Sequence, residues 1–184
     1  NLPEAFNLIV AAHISLCDTC RATVEGFDAL GGAVISKGDA VAMAGDSLDQ
    51  ALARLDTVEP VKKVIRKPGV LPAPLQSYVG GGLDSVVWRS VCMGGKLAVR
   101  ETSTDATARL LRIPAGAEIP DHSHEGLEMV LVLQGAFHDN EDRFARGDIE
   151  IADGSVSHTP IAEKGQDCIC LAVTEAPLKA SSRK

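Results

Sequence analysis

The stretch GAEIPDHSHEGLE, residues 116–128, decides the fold of this chain. It holds two histidines that are two residues apart, His122 and His124, and Glu128 follows after three more residues. Side chains of a β-strand alternate between the two faces of a sheet, so both histidines are expected on one face. The run from Glu128 to Leu133 is otherwise apolar. It predicts a buried strand whose one carboxylate needs a partner.

The pattern continues beyond this strand. Gly135 is followed about a dozen residues later by Gly147, and then by His158. Three imidazoles and one carboxylate in this order form a candidate metal site, and the donor set suits zinc, iron, nickel or manganese. The alternative is that these histidines are structural residues of a metal-free domain.

These residues resemble the cupin family. Its first motif, G-x5-H-x-H-x3-E-x6-G, is matched without a gap from Gly116 to Gly135. Its second motif, G-x5-P-x-G-x2-H-x3-N, is matched at Gly147 and His158, with departures at three positions, Asp153, Ser155 and Ala162. The resemblance implies an antiparallel β-barrel and four ligands to a divalent ion, namely His122, His124, Glu128 and His158.

Composition excludes several classes of protein. The chain has 184 residues and a net charge of −7, which argues against direct nucleic-acid binding, since that needs a basic face. No apolar run is long enough to span a bilayer and no signal peptide is visible, so we expect a cytoplasmic protein without a membrane partner. Five cysteines fit no even disulfide framework and suit a reducing compartment.

The N-terminal part is predicted to be helical. Apolar residues recur at spacings of three and four over residues 2–27, which predicts one long amphipathic helix, straight or bent, that the Gly31-Gly32 pair ends. Residues 33–45 are predicted to form a short helix or a loop. Ser47 and Gln50 form a capping box for a further helix that reaches Val58. Residues 1–65 carry nine acidic and five basic side chains, and their apolar stripes favour a helical partner or self-association.

Three residues of the first helix form a second candidate metal site. His13, Cys17 and Cys20 are spaced by four and three residues, which places them on one face of a helix. One imidazole and two thiolates are ligands that zinc takes in structural sites. They are equally compatible with a buried apolar face. The motif resembles that of the zinc-binding anti-sigma family, in which a histidine on the preceding helix is the fourth ligand, and we expect that ligand upstream of Asn1.

The division into domains follows from the prolines. Three prolines among residues 67–74 predict an interdomain linker, and the short strand-like runs beyond it predict an antiparallel sandwich or barrel. We therefore predict an α+β chain of two domains. Its parts are an all-α, zinc-binding helical bundle over residues 1–65, a linker over 66–74, a cupin β-barrel over 75–176 and a disordered tail over 177–184.

A cysteine pair lies in the last predicted strand. Cys168 and Cys170 share a face, with Cα atoms expected about 6.6 Å apart, near the upper limit for a disulfide. A bridge between them would be strained and therefore labile. The two residues are either small buried apolar side chains or a redox-sensing pair.

Both motifs together resemble the ChrR type of zinc anti-sigma factor. The resemblance implies a non-enzymatic regulator with one zinc ion in each domain. Its helical domain would sequester an extracytoplasmic-function sigma factor, and its cupin domain would release that factor in response to oxidative stress, by singlet oxygen, peroxide or another small-molecule signal. One alternative is a cupin metalloenzyme, either a dioxygenase or an isomerase, that has a helical dimerisation segment. Another alternative is a metal-dependent dimerisation module. The cysteine motif favours regulation, because such an enzyme does not require it.

Overall fold

The structure is a computed structural model that describes residues 2–55, 57, 68–91, 94–100, 102, 106–123, 126–139, 142–155, 157–175 and 179–180. Its helices lie in the N-terminal half of the described chain. They are α1 (Glu4–Ile14), α2 (Asp18–Lys37), α3 (Ser47–Leu55), α4 (Ala73–Val79) and a 3-10 helix (Leu83–Ser85).

The predicted long N-terminal helix is interrupted after α1. The carbonyl oxygen of His13 accepts hydrogen bonds from the backbone N–H groups of Leu16 and Cys17, both at 2.8 Å. Cys17 then adopts an extended conformation and stands at the N-terminus of α2. The chain therefore turns a corner at residues 15–17, which apolar periodicity alone does not reveal.

The far end of α2 also differs from the prediction. The helix continues through the Gly31-Gly32 pair to Lys37, and Gly38 then adopts an extended conformation. Each glycine costs a helix about 1 kcal/mol relative to alanine, which weakens the helix without ending it. At α3 the Gln50 amide donates to the Asp46 carboxylate at 2.7 Å, whereas a capping box would bond the Gln50 side chain to the backbone N–H of Ser47. The predicted end of this helix at Val58 lies outside the described residues.

The described part of the C-terminal half contains twelve short strands. They are β1 (Arg89–Ser90), β2 (Lys96–Arg100), β3 (Thr107–Ile113), β4 (His122–Ser123), β5 (Glu128–Gln134), β6 (Ala136–His138), β7 (Arg143–Ala145), β8 (Ile149–Ala152), β9 (Ser157–His158), β10 (Ile161–Ala162), β11 (Cys168–Thr174) and β12 (Lys179–Ala180). β12 lies within the tail that the sequence predicts to be disordered, and it pairs with β4.

All strand pairs in the described residues are antiparallel. The largest sheet has the order β1-β2-β3-β11-β5-β8, and two three-stranded sheets have the orders β10-β6-β7 and β12-β4-β9. All seven residues of β11 are buried: helix α1 contacts the strand, and Cys168 and Cys170 share a hydrophobic cluster with Phe137 of β6 and Ala162 of β10. We refer to these sheets together as the β-domain.

Helix α1 packs onto the β-domain. Its buried residues Phe6 and Ile9 belong to the same hydrophobic cluster as Leu131 and Leu171 of the central strands. It also contacts α4, which begins within the predicted linker. In contrast, α2 and α3 contain no buried residue. Helices α1 and α4 thus contribute buried residues to the core, whereas α2 and α3 contribute none.

None of the helices in the described residues combines the length and the apolar character that crossing a membrane requires.

Candidate metal centres

The β-domain brings three of the four predicted cupin ligands together. His122 on β4 lies opposite His158 on β9, and Glu128 begins β5. One potential ligand atom from each of the three side chains lies within 4.8 Å of the others. Glu128 and His158 are each only 4% exposed, so the cluster is internal. The fourth predicted ligand, His124, lies outside the described residues.

The sequence analysis missed one member of this cluster, Glu150 on β8. Its Oε1 accepts a hydrogen bond from Nδ1 of His158 at 2.7 Å, and its side chain is buried. This bond leaves Nε2 of His158 directed toward Nε2 of His122, 3.2 Å away. Alternation along β8 would place the isoleucines inside and Glu150 outside, yet Ile151 is 64% exposed, so the sequence pattern carries no signal for this residue. A charged residue on the inner face of a strand needs a partner there.

The charges of the cluster favour a bound cation. Burial raises the pKa of Glu128 to about 7, and the nearby Glu150 carboxylate acts in the same direction. The hydrogen bond to Glu150 raises the pKa of His158, whereas burial lowers the pKa of His122. Two buried carboxylates beside imidazoles place negative charge in a medium of low dielectric constant, where it is costly. A divalent ion would neutralise that charge, so these residues fit such an ion.

A cavity of about 320 Å³ opens onto this cluster. His122, Glu128 and His158 line its polar end. Its walls are mainly apolar and include Ile113, Ile119, Val130, Phe137 and Pro160. The cavity is therefore suited to a mostly apolar small molecule that presents one polar group to the cluster.

One residue of the predicted cysteine pair, Cys170, borders the same cavity. Sγ of Cys168 lies 3.5 Å from Sγ of Cys170, and both side chains are buried. A β-bulge between Ile169 and Cys170 shifts the register against β5, and Cys170 lines the cavity. The sulfur–sulfur hydrogen bond lowers the pKa of the Cys168 thiol, and the same bond together with burial raises the pKa of Cys170. The Cys168 thiol is thus more easily ionised than the Cys170 thiol.

The second cluster lies at the corner between α1 and α2. Potential ligand atoms of His13, Cys17 and Cys20 lie within 4.8 Å of one another, and all three side chains are half-buried. The arrangement therefore comes from a turn between two helices and not from one continuous helical face. Hydrogen bonds with the Cys20 backbone N–H and thiol lower the pKa of Cys17. A low pKa favours the thiolate that binds metal.

The histidine of this cluster is held by the β-domain. Nδ1 of His13 donates a hydrogen bond to the carbonyl oxygen of Gly147 at 2.9 Å. A carbonyl oxygen only accepts, so the proton of a neutral ring lies on Nδ1 and the Nε2 lone pair remains for a metal. One imidazole and two thiols with this geometry fit zinc.

The antiparallel sheets, the buried histidine–glutamate cluster and the adjoining cavity define a cupin-like domain. In agreement, the ChrR cupin-like domain family matches residues 80–177. The anti-sigma-E factor ChrR of Cereibacter sphaeroides is 50% identical over 182 residues, which cover 98% of this chain and 85% of that protein. The chain therefore belongs to the ChrR family.

A solved structure extends the similarity to three dimensions. The crystal structure of Rhodobacter sphaeroides SigE in complex with the anti-sigma ChrR matches with a TM-score of 0.81 and 49% sequence identity. The match covers 94% of this chain and 90% of that chain, so it includes the helical segment as well as the β-domain.

Proposed function

We propose that this chain is an anti-sigma factor that sequesters an extracytoplasmic-function sigma factor and releases it under oxidative stress. The similarity to an anti-sigma factor over nearly the whole chain carries this proposal. Because sigma factors act with RNA polymerase, the proposed partner also implies a cytoplasmic location.

The surface that would bind the sigma factor is formed by α2 and α3. On α2, Phe27, Leu30 and Val34 follow one another at spacings of three and four, and Phe27 is 69% exposed. On α3, the exposed residues Leu48, Leu52 and Leu55 repeat the pattern. Helical stripes of this kind bind other helices. We propose that the all-α bundle predicted for residues 1–65 is completed by helices of the partner, with residues 66–74 as linker and residues 75–176 as the sensory domain.

The metal of the helical segment is proposed to be zinc. His13, Cys17 and Cys20 would hold it at the corner between α1 and α2, together with a fourth ligand. Zinc ligation supplies folding free energy to a small helical unit that buries little of its own surface. These three residues would thereby fix the direction in which α2 leaves the β-domain, and so present the apolar stripe to the sigma factor.

The sensory site is proposed to be the β-domain cluster. His122, Glu128 and His158, with His124, would hold a second divalent ion, which we propose to be zinc, at the polar end of the cavity. Such an ion is a Lewis acid. Cys170 lines the same cavity, and its thiol together with that of Cys168 is the proposed redox-sensing pair.

A cupin metalloenzyme is the competing interpretation, and the cavity is the observation that favours it. The overall similarity to an anti-sigma factor supports a regulator and not an enzyme, because the relative matches the helical segment and the β-domain together.

Co-expression with the candidate sigma factor tests the proposal. The full chain should co-purify with that factor in about equimolar amount and should inhibit its transcription in a reconstituted assay. Addition of peroxide or singlet oxygen should restore transcription. Transcription that is unaffected by the full chain at saturating concentration would refute the anti-sigma role.

A further inference from the structure

We propose that the turn and strand over residues 146–152 link the two candidate metal centres, with Gly147 positioning His13 and Glu150 positioning His158. Gly147 and Glu150 are only three residues apart, yet each holds a histidine of a different centre. The inference rests on the proposed function, because it concerns how the β-domain acts on the helical zinc site.

The first contact lies in the turn before β8. The Gly147 N–H donates to the carbonyl of Val132 at 2.9 Å, and the Val132 N–H donates to the carbonyl of Asp148 at 3.1 Å. These bonds fix the turn to β5, so the Gly147 carbonyl oxygen faces the His13 ring at a set position. Gly147 has φ of +96°, a conformation that other residues adopt only with strain. The turn therefore holds its shape as part of the β-domain.

The second contact lies in β8 itself. Glu150 is 6% exposed, and its carboxylate accepts the hydrogen bond from Nδ1 of His158. A carboxylate that binds the outer nitrogen of a metal-ligating histidine sets the orientation of the ring and raises its basicity. Loss of such a partner typically lowers metal affinity about 10- to 100-fold.

The position of β8 in the sheet allows one contact to affect the other. β8 is the edge strand of its sheet and pairs only with β5 among the described strands, through four residue pairs. Gly147 and Glu150 are three residues apart, a span of at most about 11 Å, so both contacts lie on one short segment of turn and strand. A shift of β8 that changes the bond to His158 therefore also moves the carbonyl that holds His13. Coupling of this kind is reciprocal, and metal binding at either centre would favour binding at the other.

The experiment uses the full chain loaded with zinc, and it follows the alkylation of Cys17 and Cys20 by iodoacetamide. Mass spectrometry of the peptides assigns the rate to these two thiols, which bound zinc protects. Glu150→Leu removes the acceptor of His158, and Glu163→Leu is the matched control. Glu163 lies in the same domain and pairs with Arg143 of β7 at 2.6 Å, and neither residue belongs to the segment 146–152.

We expect Glu150→Leu to increase the alkylation rate of Cys17 and Cys20 about fivefold or more, a typical coupling between two sites. Glu163→Leu should leave it unchanged. His13→Cys keeps a third zinc ligand but lacks the ring nitrogen that bonds to Gly147. In that background, Glu150→Leu should no longer change the alkylation of Cys17 and Cys20.

Two results would overturn the inference. One is an alkylation rate that Glu150→Leu leaves unchanged, and the other is an increase that persists with His13→Cys. If Glu150→Leu does not fold, His158→Asn tests the same bond from the donor side. If zinc does not protect Cys17 and Cys20 of the wild-type chain from alkylation, the proposed zinc site itself is contradicted. Failure of the proposed function is therefore distinguishable from failure of the coupling between the two centres.

Discussion

Nε2 of His122 and Nε2 of His158 lie 3.2 Å apart across the paired strands β4 and β9. The two rings are tilted by 48° with centroids 4.6 Å apart, so the nitrogens approach each other and the rings do not stack. Two imidazole nitrogens at this distance share a proton or bind a common metal ion. The buried Glu128 beside them favours the metal.

Replacement of His158 should remove one metal ion from the chain. His158→Asn deletes both a proposed ligand of the β-domain centre and the hydrogen bond of that ligand to Glu150, and we expect the metal content to fall by about one equivalent per chain. Elemental analysis of the purified full chain measures this. His138→Asn is the control, because His138 lies on β6 outside the described metal clusters. An unchanged metal content in His158→Asn would exclude His158 as a ligand.

A charge on the exposed stripe of α2 should abolish sigma-factor binding. Phe27→Asp introduces a carboxylate into the proposed apolar interface, and we expect at least a 30-fold loss of affinity, or about 2 kcal/mol. The free energy of unfolding should change by less than about 0.5 kcal/mol, because Phe27 is exposed. Isothermal titration calorimetry and urea unfolding measure the two quantities.

Glu25→Ala is the control for that variant. Glu25 is exposed and lies about 160° around the helix axis from Phe27. Its replacement should leave the affinity for the sigma factor within about twofold, since exposed rim contacts contribute little. If Phe27→Asp and Glu25→Ala lose the same affinity for the sigma factor, the exposed stripe of α2 is not the interface.

Peroxide should join Cys168 to Cys170. Oxidation of one thiol by peroxide gives a sulfenic acid and water, and attack by the other thiol gives the disulfide and a second water. We expect mass spectrometry of the non-reduced chain to show a loss of two hydrogens in the peptide that contains both residues. The double variant Cys168→Ser, Cys170→Ser should retain sigma-factor binding but lose its release by peroxide. Normal release from that variant would assign sensing to the metal cluster alone.

The ion pair of Arg112 and Asp167 should make stability depend on pH. The Arg112 guanidinium donates to Asp167 at 2.8 Å and lowers the pKa of that carboxyl group, with smaller contributions from the Ala115 N–H and from Lys96. The stabilisation is therefore present above the unfolded pKa of about 3.9 and is lost as pH falls through the lower folded value.

Asp167→Asn isolates this contribution. It should lower the free energy of unfolding by about 1 kcal/mol or less at pH 7, because the pair is partly exposed, and the difference from wild type should vanish near pH 2. Urea unfolding at both pH values measures it. Glu118→Gln, which changes an exposed carboxylate, is the control. If the free energy of unfolding of Asp167→Asn is below that of wild type by the same amount at both pH values, the loss comes from packing and not from charge.

The resemblance of both motifs to the cupin family implied that His122, Glu128 and His158 are neighbours, and the structure brings these three side chains together. Alternation predicted that the sulfur atoms of Cys168 and Cys170 share a face.

Features that depend on tertiary contacts could not be predicted from the chain alone. Glu150 joins the cluster through the register of β8 against β5, which no local pattern encodes. The corner at residues 15–17 depends on the docking of α1 onto the β-domain, where burial of its apolar face outweighs the continuity of the helix. The assignment of α1 to the β-domain core was missed for the same reason, since an amphipathic stripe does not identify its partner.

The guanidinium of Arg146 extends from the turn before β8 to the proline-rich segment. It donates to the carbonyl of Val70 at 3.0 Å and also to that of Leu133. Arg146 thus connects Val70, in the proline-rich segment, to Leu133 of β5. The α2–α3 segment is therefore attached to the β-domain on both sides, by α1 before it and by the contact of Arg146 with Val70 after it.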